Sequence, residues 1–125
     1  MQNSAALAYQ QVGKQTVAPR VLEANLLSKS AAQLQRIRDD WDNSSHGLQA
    51  ALVFNRRLWN VFISSVTKEE SKLPRELRQN VVNLGLFVMK HTVTVQSRPE
   101  PRKLDVLINI NRELAAGLRA GAGID

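Results

Sequence analysis

The sequence predicts an all-α fold: a single-domain bundle of four principal helices preceded by a flexible or partly helical N-terminal arm. Three observations carry this. Apolar residues recur at steps of three and four in four successive stretches, the period of one helix face. Prolines stand where helices open or cannot continue, at Pro19, Pro74, Pro99 and Pro101. The β-branched run HTVTV at 91–95 has no partner strand elsewhere in the chain. At 125 residues the chain is one domain by size, 1–125, large enough for a single core.

Residues 1–18 are polar and rich in Gln, Ala and Ser, and their apolar residues Leu7, Tyr9, Val12 and Val17 are too few to hold them down firmly. They read as an arm, with a partner-binding segment as the sharper alternative. Pro19 opens a first helix reaching about residue 42, striped by Ala24, Leu27, Ala31, Leu34, Ile37 and Trp41. Asp39, Asp40 and Asp42 fall at its C-terminal end, where the helix dipole disfavours negative charge. That placement predicts fraying near residue 40 or a cationic neighbour. Asn43-Ser44-Ser45 reads as a turn and cap.

A second helix is expected over 46–67, with Leu48, Leu52, Leu58, Trp59, Phe62 and Val66 on one broad face and Asn55 in its middle. A charged connection, 68–72, leads to Pro74 and a third helix over 74–96. Leu77, Val81, Leu84, Val88, His91 and Val95 form one of its faces; Val82, Leu86, Met89 and Val93 form a second stripe behind it. A helix apolar nearly all round is expected to be central, with neighbours on several sides. Two prolines within 97–101 end it. The fourth helix, 104–118, buries Leu104, Leu107, Ile108, Leu114, Ala115 and Leu118 around Asn111, and 119–125 is a frayed tail. Trp59, Phe62, Leu84, Val88, Leu107 and Leu114 occupy the stripe centres and are the expected core.

The same residues exclude much chemistry. There is no cysteine, and His46 and His91 have no acidic cluster beside them, so neither a thiol nucleophile nor a metal centre is expected. No Gly-rich phosphate loop or nucleophile–base pairing is legible, so the chain reads as a non-enzyme without a cofactor. The N-terminus lacks a basic region followed by an apolar core, which predicts a cytoplasmic protein. Charged residues interrupt the third helix, arguing against membrane insertion despite its length. The net charge of +6 raises nucleic acid or an acidic partner, but it is spread along the chain. Trp41, Phe54, Trp59, Phe62 and Phe87 sit on or beside apolar faces, leaving Tyr9 as the free aromatic, so the balance favours a protein partner over RNA. Asn55, His91 and Asn111, embedded in apolar surroundings, either bond within the bundle or line a partner groove.

NRRLW at 55–59, LPRELR at 73–78, FVMKHT at 87–92 and LININ-R at 107–112, followed by Gly117-Leu118, occur in one order. Together with Pro19-Arg20 they closely resemble the FlaF family of α-proteobacterial flagellar proteins, over roughly residues 5–119. Relatives tend to follow that arginine with an acidic residue; this chain has Val21 there and an acid at Glu23. The resemblance implies a small helical protein acting on flagellin as a binding chaperone, and antagonistic to an FlbT-type regulator. The alternative it implies is post-transcriptional control of flagellin, through its mRNA or through that regulator. The expected flagellin surface is the second stripe, Val82, Leu86, Met89 and Val93, with His91 and with Arg56, Arg57, Arg75, Arg78 and Arg112 around it.

Overall fold

The computed structural model describes residues 19–68, 71 and 73–121. The arm expected over 1–18, part of the 68–72 connection and residues 122–125 of the expected tail lie outside the described residues. The described residues hold four long helices and no strand: α1 (Pro19–Asp39), α2 (Leu48–Val66), α3 (Arg75–Ser97) and α4 (Asp105–Ala120).

Pro19 is the first residue of α1, where its missing N–H is no loss. The helix stops at Asp39, with Arg36 and Arg38 in its last turn favouring the dipole. A fresh helical turn, Trp41–Ser44, starts beyond Asp40 and places Asp42 in its first turn. In place of the expected fraying, the helix is interrupted at residue 40 and restarts, which moves Asp42 from a helix end that repels a carboxylate to one that favours it, while Asp39 has a cationic neighbour in Arg38 at 3.6 Å. The expected cap at 43–45 is not made. Ser44 and Ser45 form no side-chain cap, the chain continues through a 3-10 turn at Ser45–Gly47, and α2 begins at Leu48 rather than at residue 46. The HTVTV run is helical, and its hydroxyls are satisfied by bonding back to the preceding turn, Thr92 to the Val88 carbonyl at 2.6 Å and Thr94 to that of Lys90 at 3.2 Å. Pro101 opens a 3-10 turn, Pro101–Leu104, that feeds α4, and α4 runs on to Ala120, past the expected end at 118.

Side-chain pairs fix the packing. Arg20 donates to the Ser65 hydroxyl at 3.1 Å and Ser30 to Asn55 at 2.8 Å, so α1 and α2 run antiparallel. Arg38 pairs with Asp105 while Arg119 reaches Asn25 and Ser28 at 3.0 Å, so α1 and α4 are antiparallel too. The central helix is α1, which packs along α4 and α2; α3 packs chiefly on α2. This corrects the expectation that the third helix is central. Its fully buried face is narrow, limited to Val81, Gly85, Val88, Thr92 and Val95. Close approach of α2 and α3 depends on Gly85, since a Cβ there would run into the Ile63 side chain and lie 3.5 Å from Trp59 Cε3.

Trp59, Phe62, Val88 and Leu107 are buried as expected. Leu84 and Leu114 are not: both are half-buried and only border the core. They face each other across a gap between α3 and α4.

Asp105, bonded by the Arg38 guanidinium, has its carboxyl held below the ordinary range, chiefly by that hydrogen bond, against some desolvation. A depressed carboxylate stabilises the fold above its unfolded pKa, and that stabilisation is lost as pH falls through its folded value. Asp105→Asn is expected to lower the melting temperature slightly at neutral pH, and the difference should begin to shrink as pH falls toward about 4 and disappear only below the depressed folded value. Because the pair is solvent-exposed, added salt should shrink the effect.

Candidate functional site

Successive helical residues turn by about 100°, so α3 presents three sides. One is the buried face. A second carries the expected stripe, with Leu86 58 % and Val93 63 % exposed. Val82 and Met89 of the same stripe are half-buried, Met89 packing on the core. On the third side Leu77, 40 % exposed, and Leu84 face α4, and Phe87, 43 % exposed, lies beyond them.

The charged residues expected to frame the stripe are not gathered in one place. Arg56 and Arg57 are exposed on α2. Arg75 and Arg78 stand in the first turn of α3, where the dipole disfavours a cation, so their charge does nothing for that helix. Arg78 Nε is buried with no hydrogen-bond partner among the described residues. Arg112 lies on the α1–α4 seam, donating to Gln35 Oε1 at 3.2 Å, away from α3.

His91 has a structural job. Its Nε2 lies 2.7 Å from the Lys103 carbonyl, and because a carbonyl only accepts, that nitrogen carries the hydrogen. The ring stacks on Phe87 at 5.5 Å and 11°, so it ties α3 to the 3-10 turn ahead of α4. Asn55 and Asn111 are likewise internal. Ser30 Oγ and Asn111 Nδ2 both donate to Asn55 Oδ1, at 2.8 and 2.7 Å, and Trp59 Nε1 donates to Asn111 Oδ1 at 2.9 Å. The chain of bonds joins α1, α2 and α4 at the centre of the bundle.

The feature that sequence reasoning missed is the gap itself. It is an apolar cleft of about 480 Å³, walled by Leu73, Leu77, Val81 and Leu84 on one side and Ile110, Leu114 and Leu118 on the other. Arg20 reaches its lining from α1, where it pairs with Glu23 at 2.6 Å. The signal for it was present on α4, where Ile110, Leu114 and Gly117 form an apolar edge beside the buried face.

Among the described residues no group of three or more His, Cys, Asp or Glu side chains is placed to hold a metal ion, and no helix is long and apolar enough to cross a membrane. The motifs of the sequence are thus spread over all four helices as packing and surface residues rather than converging on one polar pocket. In comparison with protein families, the model of the flagellar protein FlaF matches residues 5–118. The chain belongs to the FlaF family. Membership accounts for the ordered motifs in α2, α3 and α4 and ties the protein to the flagellum. No curated protein and no solved structure matches the chain.

Proposed function

We propose that this FlaF-family protein is a flagellin-binding chaperone that holds unassembled flagellin, one-to-one or in a small complex, ahead of its export. The observation that carries the proposal is the row of α3 side chains in which Leu86 and Val93 stand largely in water. Exposed Leu86 and Val93, joined by half-buried Val82 and Met89 along one side of α3, offer an apolar row that a partner's apolar face can cover. The ends of unassembled flagellin are amphipathic helices and suit such a strip. Met89, flexible and polarizable within the strip, suits related but non-identical partners. The exposed Arg56, Arg57 and Arg75 are spread over α2 and α3 rather than set around the strip, and so contribute association rate more than affinity or orientation. Direct reading of flagellin mRNA has less support, because stacking on bases needs open aromatic faces and Phe87 already stacks on His91.

The test is copurification with flagellin. Leu86→Asp combined with Val93→Asp changes two exposed positions, so the helical circular dichroism should persist while flagellin is lost. Met89 is left alone, because it packs on the core and aspartate there would confound folding with binding. A folded double variant that still captures flagellin at full strength overturns the assignment of this surface. Binding that falls steeply with salt would point instead to phosphate contacts.

A further inference from the structure

The α3–α4 cleft needs a different occupant from the α3 strip, since the two lie on different sides of that helix. We propose that the cleft is filled by this chain's own N-terminal segment, residues 5–18, packed between Leu77 and Leu84 of α3 and Ile110 and Leu114 of α4. The inference does not depend on flagellin binding.

Four observations favour this occupant. The first is position: the chain enters α1 at Pro19, and the next residue, Arg20, is itself part of the cleft lining. A segment tethered at the mouth of a groove faces it at an effective concentration in the millimolar range, which an untethered partner must exceed. The second is length. From Ile110 to Gly121 the α4 wall is about 17 Å long at helical rise. Residues 5–18 span about 21 Å if helical and more than 40 Å if extended, so they can line the whole cleft in either state.

The third is composition. Residues 1–18 carry one charged side chain, Lys14, in a protein with 17 basic and 11 acidic residues. Leu7, Tyr9, Val12 and Val17 supply apolar groups to a cleft whose walls are leucine, isoleucine and valine. Burying such side chains removes apolar surface of both the segment and the cleft from water, which favours the packed state. The fourth is the family match, which begins at residue 5 and so takes in the segment as part of the FlaF unit.

The protein contains no cysteine, so a single introduced thiol reports the cleft without background. Gly117 lines the cleft, and a Cβ there meets nothing within 4 Å, so Gly117→Cys should fold normally. In the full chain its reaction with a bulky maleimide is expected to be several-fold slower than that of Asn60→Cys, an exposed position on α2. Adding Leu7→Asp and Val12→Asp should bring the two rates together with the circular dichroism unchanged. Pairing Val12→Cys with Gly117→Cys should give an intramolecular disulfide under mild oxidation, whereas Val12→Cys with Asn60→Cys should not. A Gly117→Cys rate untouched by the arm substitutions, with no intramolecular disulfide, overturns the proposal. Protection that grows with protein concentration also overturns it, by assigning the cleft to a second copy.

Discussion

Replacing Trp59 with alanine is expected to lower the unfolding free energy by about 3–5 kcal/mol, the cost typical of a buried tryptophan. Such a loss is a large share of the 5–15 kcal/mol that holds a domain together. Trp59 has no solvent exposure, and its ring meets that of Phe62 edge-on, with centroids 5.8 Å apart at 82°. A Cβ at Gly85 would lie 3.5 Å from Trp59 Cε3, so the indole is also the surface on which α3 rests. Its Nε1 reaches Asn111 on α4 at 2.9 Å. Alanine therefore opens a cavity at the junction of three helices and leaves a buried amide oxygen without its donor. Trp59→Phe separates the two effects, since it keeps most of the volume and loses the hydrogen bond, which should cost about 1–3 kcal/mol. Denaturant unfolding of both variants is the measurement. Wild-type midpoints for both would mean that α2 turns another face to the core.

The helices themselves were legible because each signal is local. Pro19 opens one, Pro99 and Pro101 prevent the continuation of another, and three-and-four spacing marks every buried face. The rank of the helices was not legible. Periodicity reports that α3 has apolar residues on several sides but not which of those sides acquires a neighbour. That is decided by how closely pairs of helices approach, which depends on side-chain size at the contact. Ala24 and Ala31 lie on the side of α1 that carries Gln35 and Arg38, both bonded to α4, and with Ala115 they are fully buried, so these two helices sit close. Gly85 does the same for α2 and α3. Where Leu77 and Leu84 face Ile110 and Leu114, large side chains meet from both helices, which stand apart around the cleft.

The candidate surface was partly legible for the same reason. Leu86 and Val93 could be placed on one side of a helix from spacing alone. That Arg112 belongs to the α1–α4 seam, and that His91 is spent on the Lys103 carbonyl, follow only from the tertiary arrangement.

Asn55→Ala should be nearly as damaging as the loss of Trp59, although it removes far less volume. Asn55 and Asn111 are fully buried, and one oxygen, Asn55 Oδ1, accepts from both Ser30 and Asn111. Alanine leaves two buried donors without an acceptor, each costing about 1–3 kcal/mol, offset in part because it also removes Asn55 Nδ2, which is buried without a partner among the described residues. The oxygen is placed where α1, α2 and α4 meet, so the bonds also fix the depth and rotation of each helix against the others. If that is their role, the loss must be shared with the partners. A cycle of Ser30→Ala, Asn55→Ala and the double variant should give a coupling energy of about 0.5–3 kcal/mol, because removing the donor relieves part of the cost of removing the acceptor. If the protein captures flagellin as proposed, capture by the folded fraction should be unchanged, since all three side chains lie inside the bundle. Additive losses of stability, or an Asn111→Ala variant of normal stability that no longer captures flagellin, would move these amides from the core to the partner surface.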